Sequence, residues 1–184
     1  LISKIRFGSM EFKDLTLIEL TEIVAGLGKP VYTAKNLFKW VYKKSATDFE
    51  QMSDVSKELR SYFSQNYTIS GLKILETEKA KDGCVKFLFQ LNDKETVESV
   101  IIPKEDRVTV CVSTQVGCKM ACAFCCTATQ GFKRNLSPSE IINQVIEINN
   151  YAKNELSFPT DDSGIRTVSN IVFMGMGEPM DNLD

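Results

Sequence analysis

Apolar positions in the first third of the chain recur at the spacing of an α-helix. Over residues 11–66, aliphatic and aromatic residues return every three or four positions between polar ones, which places them on one side of a helix. Glycine and proline interrupt this pattern. It therefore predicts three helices, over residues 15–27, over Thr33–Lys44 and following Ser53. Residues 1–70 are predicted to form a small all-helical domain.

The pattern then changes to short β-type runs. Residues 84–91, 96–102 and 107–113 are rich in β-branched and aromatic residues, and polar turns separate them. Such runs are typical of strands. We place the boundary between the two patterns within residues 66–80, and we assign residues 71–106 to a β-rich extension.

A helix start and a further strand indicate a β/α unit in the last part of the chain. Residues 137–140 read Ser-Pro-Ser-Glu, a capping box with proline at the first helical position. Apolar residues that include Ile141 and Ile148 continue on one face of this helix. A polar loop over residues 158–167 and a strand over residues 170–174 follow. Strand, helix and strand in this order predict parallel strands.

Length limits how much of a β/α barrel the chain can hold. Residues 107–184 accommodate two to three βα units of roughly 30 residues each, whereas a closed eight-unit barrel takes about 250 residues. The predicted fold class is therefore α/β. It consists of an incomplete (β/α) barrel over residues 107–184, preceded by the small all-helical N-terminal domain. We expect the chain to be the N-terminal piece of a longer protein.

Composition excludes several classes of function. The chain has no histidine, so a catalytic triad built on histidine is excluded, and any metal must be bound by thiolates or carboxylates. The net charge is −2, from 22 basic and 24 acidic residues. This is no global nucleic-acid signature, although a local basic face can still bind RNA. No apolar run approaches the roughly 20 residues that span a bilayer, so we expect a cytoplasmic protein without membrane association.

Six cysteines supply the strongest chemical signal. Cys118, Cys122 and Cys125 have the spacing C-x3-C-x2-C, and Cys126 follows directly. A [4Fe–4S] cluster usually takes four cysteines, so three thiolates would leave one iron open to a ligand, as in catalytic metal sites. A structural zinc site is the alternative, but its fourth ligand would have to be Cys126, and adjacent residues rarely aim at one centre. We treat Cys126 and Cys84 as structural or incidental.

The residues around these cysteines resemble a known superfamily. Residues 117–125 read Gly-Cys-Lys-Met-Ala-Cys-Ala-Phe-Cys, with an aromatic residue just before the third cysteine. This segment is similar to the loop of radical S-adenosylmethionine (SAM) enzymes. Residues 127–132, Thr-Ala-Thr-Gln-Gly-Phe, and residues 174–179, Met-Gly-Met-Gly-Glu-Pro, further resemble the RlmN family of RNA methyltransferases. The resemblance extends along the whole chain.

The resemblance implies an enzyme that methylates carbon 2 of adenine in 23S rRNA and tRNA. It implies a [4Fe–4S] cluster and SAM as cofactors, a radical-SAM partial barrel, a monomer, and an electron donor such as flavodoxin or ferredoxin. In the family a cysteine that would lie beyond Asp184 carries the methyl group, so this chain alone is expected to be inactive. Two alternatives stay open, a C8-adenine methyltransferase and a non-catalytic iron–sulfur or zinc module that binds RNA.

The resemblance also implies roles for four further residues. Glu98 corresponds to the family's proton acceptor, and Cys111 to the thiol that resolves the enzyme–RNA bond as a disulfide. Gly177 and Glu178 correspond to the pair that receives the amino group of SAM. From the residues alone, the pattern favours a solvent-facing glutamate on an edge strand at Glu98. Cys111 could be a small buried thiol, although strand alternation places it opposite the valines around it.

Basic residues suggest two surfaces for RNA. Lys35, Lys39 and Lys43 share one helical face, and Lys133 with Arg134 follows the cysteine loop. Aromatic residues that could stack on bases are interleaved with the first group. They are Tyr32, Trp40 and Tyr42. The alternative is a solvated helix face with aromatic residues in the core.

Overall fold

The computed structural model describes residues 10–104, 107–155 and 168–183. The loop predicted over residues 158–167 lies outside them. The chain divides into two compact units, Leu1–Gly71 and Leu72–Asp184. Each unit has its own apolar core. The further division of the second unit after residue 106 stays a prediction.

The first unit is built from three α-helices. They are α1 (Leu17–Gly26), α2 (Tyr32–Tyr42) and α3 (Lys57–Asn66). Helix α1 starts two residues after the predicted position because Thr16 and Glu19 form a capping box. Helix α3 starts after Ser56, whose side chain accepts the N–H of Leu59, and not directly after Ser53.

The prediction that this unit is all-helical is wrong. Strand β1 (Met10–Glu11) pairs in parallel with strand β2 (Tyr67–Thr68), which directly follows α3. Two residues per strand are too short to give a periodic signal in sequence. The core of the unit contains an aromatic cluster, in which Phe12 packs edge-on against Phe49 and Phe63, with ring centroids 5.5 and 5.8 Å away.

A five-stranded sheet forms the centre of the second unit. Its strands, in spatial order, are β3 (Lys73–Lys79), β4 (Val85–Gln90), β5 (Thr96–Pro103), β6 (Val108–Cys111) and β9 (Asn170–Val172). The first four strands are antiparallel, and β6 pairs in parallel with β9. The predicted parallel pair is therefore present, but the sheet as a whole is mixed.

Helix α4 (Pro138–Glu155) connects β6 to β9 and covers one face of the sheet. Its predicted capping box is present. The Ser137 N–H donates to the Glu140 carboxylate at 3.0 Å, and the Glu140 N–H donates to the Ser137 hydroxyl at 3.3 Å. Ile148 is fully buried on the inward side of the helix, and the sheet and helix share one apolar core.

A separate two-stranded hairpin carries the cysteine loop. Strand β7 (Gln115–Gly117) pairs in antiparallel fashion with β8 (Phe132–Asn135). The sequence did not predict this hairpin, because both strands are short and the segment between them is long. Among the described residues, no helix is long and apolar enough to cross a membrane.

Candidate cofactor site

The cysteine loop is closed at its base by a close approach of two backbones. The N–H of Cys118 donates to the carbonyl of Gly131 at 3.2 Å. Gly117 has a φ of +75°, and a Cβ atom there would lie 1.6 Å from the Gly131 carbonyl oxygen. Only glycine fits this position. Gly117 therefore allows β7 and β8 to meet directly below the first cysteine.

The three cysteines differ in their surroundings. Cys122 is exposed, whereas Cys118 and Cys125 are half-buried. Hydrogen bonds from the backbone N–H groups of Ala128 and Thr127, and from the side chain of Thr127, lower the pKa of the Cys125 thiol. The lower pKa favours the thiolate, which is the form that binds metals. The N–H groups belong to a 3-10 helix, Cys126–Gln130.

The donor set, and not a formed cage, supports a metal cluster in this loop. Among the described residues, no three cysteine, aspartate or glutamate side chains converge on a point that could hold a metal ion. The loop nevertheless presents three thiols within eight positions, and none of the six cysteines forms a disulfide. Phe124, beside Cys125, is 92% exposed. This donor set fits the three-thiolate ligation of an iron–sulfur cluster.

The turn that holds Gly177 and Glu178 follows β9 and packs against β7. Gly177 has a φ of +101°, and a Cβ atom there would lie 2.6 Å from the Cβ of Gln115. The Glu178 carboxylate accepts the N–H of Met180 at 2.9 Å and caps a 3-10 helix, Pro179–Asp181. The turn thus lies beside the first strand of the cysteine hairpin.

An ion pair connects the turn to the cysteine loop. The Lys119 ammonium, one residue after Cys118, lies 2.9 Å from the Asp181 carboxylate. Hydrogen bonds from Lys119, and then from Gln115, lower the pKa of Asp181. The structure therefore brings the start of the cysteine loop next to the Gly177–Glu178 turn. These two regions are about 60 positions apart in sequence.

Comparisons with known proteins identify the family to which the chain is similar. The model of the ribosomal RNA large subunit methyltransferase N-terminal domain matches residues 10–69. The chain is 44% identical over 176 residues to the dual-specificity RNA methyltransferase RlmN of Desulfotalea psychrophila, with 95% of this chain and 48% of that relative covered. It is 46% identical to RlmN of Syntrophotalea carbinolica, with 95% and 44% covered. The chain belongs to the RlmN family.

A solved structure confirms the α/β fold that the sequence predicts. The chain resembles the crystal structure of a radical SAM methyltransferase from Sphaerobacter thermophilus with a TM-score of 0.78 and 38% identity, over 95% of this chain and 49% of that one. This RlmN-family chain spans about half the length of the curated relatives that it matches.

Glu98 and Cys111 lie on one face of the five-stranded sheet. Cys111 is paired with Val100, two positions from Glu98, so the two side chains are diagonal neighbours across β5 and β6. Strand β5 lies inside the sheet, so the edge-strand part of the alternative is wrong, whereas its solvent-facing part agrees with the structure. The Glu98 carboxylate is 47% exposed and lies 3.5 Å from the Lys86 ammonium.

Burial raises the pKa of the half-buried Cys111 thiol, and a backbone hydrogen bond from Met174 partly offsets this increase.

The two basic surfaces differ in how their charges are used. Lys35, Lys39 and Lys43 are exposed on α2, within the segment that matches the RlmN N-terminal domain. By contrast, Lys133 is paired with Glu95 at 2.6 Å, and Arg134 is paired with Asp93 and Glu140. The charges of the second surface are therefore paired with carboxylates of the same unit, and its contact with RNA stays a prediction.

Only one of the three aromatic residues beside the lysine face is exposed. Tyr32 is 63% exposed. The Trp40 indole N–H donates to Asp54 at 2.5 Å, and the Tyr42 hydroxyl donates to the Lys13 carbonyl at 3.3 Å. Burial raises the pKa of Tyr42 to about 12. Trp40 and Tyr42 thus belong to the domain's own packing, and Tyr32 is left as the candidate for stacking on a base.

Sequence reasoning missed three buried polar residues that connect the site. Ser113, Gln115 and Gln144 are all fully buried. The Ser113 hydroxyl donates to the Glu98 carbonyl at 2.5 Å and accepts the Met176 N–H at 2.8 Å. For Ser113 and Gln115 the signal in sequence was the run Ser-Thr-Gln directly after a valine-rich strand, where hydroxyl and amide side chains replace the expected apolar ones. Gln144 lies outside this run.

Proposed function

We propose that this protein is a radical SAM methyltransferase that acts on carbon 2 of adenine in 23S rRNA and tRNA. The observation that carries the proposal is the position of the Gly177–Glu178 turn beside the loop of Cys118, Cys122 and Cys125, connected through Lys119 and Asp181. A thiol loop next to a turn that can receive an ammonium group suits a cluster that binds SAM through an open iron. The names of the relatives agree with an RNA substrate.

In this proposal each region of the site has a separate task. Cys118, Cys122 and Cys125 hold a [4Fe–4S] cluster, and Gly177 with Glu178 receives the amino group of SAM. When bound, the cluster and SAM supply radical chemistry, which suits an electron-poor ring carbon that has no lone pair. The protein binds and orients the reacting groups and shields them from water.

Glu98 and Cys111 are proposed to act directly on the substrate. Glu98 accepts the proton that leaves the adenine ring. Cys111 then forms a disulfide with the sulfur of the methyl-carrying cysteine expected in a full-length protein. The bond between that sulfur and the RNA-bound carbon breaks, and the carbon keeps the electron pair and takes up a proton to become the new methyl group. The common face of Glu98 and Cys111 on the sheet supports the assignment, since both side chains can address one bound base. The half-exposed carboxylate of Glu98 is accessible to a ligand, and Lys86 holds it on one side.

The remaining partners are also part of the proposal. The exposed lysines of α2 and Tyr32 contact RNA through phosphates and a stacked base. A flavodoxin or ferredoxin supplies the electron, and the protein acts as a monomer in the cytoplasm.

Anaerobic reconstitution of the chain tests the cofactor part of the proposal. We expect about four irons and four sulfides per chain, as in a cubane cluster, and loss of the iron in the Cys118→Ala variant. The matched control is Cys126→Ala, which removes the neighbouring exposed thiol and should retain the iron. Stoichiometric zinc without iron would contradict the proposal.

Product analysis tests the reaction itself. A full-length protein that carries these residues should convert adenosine to 2-methyladenosine in 23S rRNA and tRNA fragments, detected by mass spectrometry of the nucleosides. The Glu98→Gln variant should bind SAM and lose the methylated product, because the amide cannot accept the ring proton. Formation of the C8 isomer would contradict the proposed position of methylation.

A further inference from the structure

Gln115 is a fully buried glutamine whose side chain bridges the cysteine hairpin and the Gly177–Glu178 turn. Its Oε1 atom accepts the N–H of Glu178 at 3.1 Å. Its Nε2 atom donates to Asn135 Oδ1 at 2.9 Å and to Asp181 Oδ2 at 3.1 Å. Both amide donors and the carbonyl acceptor of one side chain are thus used. A buried amide with this many partners fixes the relative position of the groups that it bonds.

The turn also rests directly on the backbone of Gln115. The carbonyl of Met176 accepts the N–H groups of Thr114 and Gln115 at 2.8 and 3.2 Å. A Cβ atom on Gly177 would lie 2.6–2.8 Å from the side chain and backbone of Gln115. The two segments are therefore in van der Waals contact, and any shift of Gln115 moves the turn.

The same side chain reaches the cysteine loop through Asp181. The Asp181 carboxylate accepts Gln115 and pairs with Lys119, which follows Cys118. The backbone carbonyl of Asp181 accepts the side-chain amide N–H of Asn135, on β8, at 3.1 Å. Cysteine loop, hairpin and turn therefore meet at the amide of Gln115.

We propose that Gln115 is a positioning residue that holds the Gly177–Glu178 turn in register with the cysteine loop, so that one SAM molecule can contact the turn and the cluster at the same time. The inference rests on the proposed function, in which this turn receives the amino group of SAM. Gln115 does not touch the cofactor. It acts through the N–H of Glu178 and the carboxylate of Asp181, and it preorganises the turn before the cofactor binds.

Hydrogen exchange of the 184-residue chain without cofactor tests the positioning directly. The variant Gln115→Met retains the volume of the side chain and removes its hydrogen bonds. We expect the Glu178 amide to exchange about five- to tenfold faster, the factor that corresponds to one hydrogen bond of about 1 kcal/mol, while the β4 amides change by less than twofold. Unchanged exchange at Glu178 overturns the inference.

A matched variant separates positioning from general loss of stability. Phe87→Leu reduces a fully buried ring of the same unit that packs against Tyr151 of α4, and it removes no hydrogen bond. If Gln115 only stabilises the unit, both variants will accelerate Glu178 and β4 exchange in the same proportion, which overturns the inference. If it positions the turn, the ratio of Glu178 to β4 exchange will rise in Gln115→Met alone.

An exchange of donor and acceptor keeps the proposal testable if Gln115→Met fails to fold. Gln115→Glu alone places a second carboxylate against Asp181 and should accelerate exchange at Glu178. The double variant Gln115→Glu with Asp181→Asn restores one donor facing one acceptor, and the acceptor for the Glu178 N–H is kept. We expect it to recover at least half of the lost protection. No recovery overturns the inference.

Cofactor binding gives the second readout, on a full-length protein with the same residues. Gln115→Met should raise the KM for SAM about tenfold and change kcat less, because the turn binds the cofactor but takes no part in the proton transfer. An unchanged KM for SAM contradicts positioning of the SAM site. If the wild-type chain assembles no cluster, the proposed function fails, and the exchange ratio still decides whether Gln115 holds the turn.

Discussion

The two faces of the five-stranded sheet use the same strands for different purposes. The face beneath α4 is closed and apolar, with Phe87, Ile101 and Val110 fully buried. Residues one position away point to the opposite face, where the structure places Glu98 and Cys111. One strand can thus stabilise the fold with every second residue and present reactive side chains with the residues between them.

The covered face also contains a buried polar network at its end. The Gln144 side chain accepts the Ser99 hydroxyl at 2.6 Å and the Ser113 N–H at 2.8 Å, and it donates to the Ser113 carbonyl at 3.0 Å. Ser113 in turn bonds the Glu98 carbonyl and the Met176 N–H. The covered face thus supports both the strand of the proposed base and the turn proposed to bind SAM.

The largest effect should come from a cavity on the covered face. Phe87 is fully buried and meets the ring of Tyr151 from α4 edge-on, with ring centroids 4.9 Å apart. Phe87→Ala should destabilise the second unit by about 3–5 kcal/mol, measured from urea dependence of amide exchange in β4 and β5. The control is Leu88→Ala on the opposite, partly exposed face, and an equal loss in both variants would remove the distinction between the faces.

Breaking the polar network should cost less. Gln144→Leu retains the approximate volume but leaves Ser99 and the backbone groups of Ser113 without their partner. We expect a loss of about 2 kcal/mol, because buried polar groups without partners cost about 1–3 kcal/mol. The same exchange measurement applies. The double variant with Ser99→Ala should recover part of the loss, and no recovery would show that the network does not act through Ser99.

Sequence patterns predicted the covered face better than the segments around the site. The capping box of α4 is a local sequence motif, and the valines of β6 alternate with polar residues. The structure confirms both. Strand β3 was missed because its residues, Lys-Ile-Leu-Glu-Thr-Glu-Lys, are mostly polar and exposed. Its strand state comes from pairing with β4, and not from local preference.

The candidate site was predicted as separate motifs and not as an arrangement. The cysteine spacing and the Gly-Met-Gly-Glu-Pro segment stand out in sequence. What brings them together is a set of contacts between distant residues, such as the amide of Gln115 and the Lys119–Asp181 pair. A glutamine or lysine carries no periodic signal of its own, so sequence alone could not reveal these connections.

Alkylation should distinguish the faces by access. Cys111 is half-buried, so iodoacetamide at pH 8 should reach it in the folded chain. It should react more slowly than the exposed Cys126, because burial raises the pKa of the Cys111 thiol. A thiol placed on the covered face by Ile101→Cys should stay unmodified until the unit unfolds. Peptide mapping by mass spectrometry gives the rates, and faster reaction at position 101 than at Cys111 would reverse the assignment of the faces.

The smallest effect on stability should come from the proposed base. The Glu98 carboxylate is about half exposed, and its pair with Lys86 at 3.5 Å is also partly exposed. Such pairs contribute about 0–1 kcal/mol, so Glu98→Gln should change the unfolding free energy of the second unit by no more than about 0.5 kcal/mol.

Glu78→Gln is the matched control, because it removes a carboxylate 3.2 Å from the same ammonium on the neighbouring strand. Both variants should be equally stable in urea, and only Glu98→Gln should lose 2-methyladenosine formation in a full-length protein. Equal stability gives that loss a chemical meaning, since the residue would then be required by the reaction and not by the fold. A loss of several kcal/mol in Glu98→Gln would instead assign Glu98 to the fold and erase the difference between the two faces.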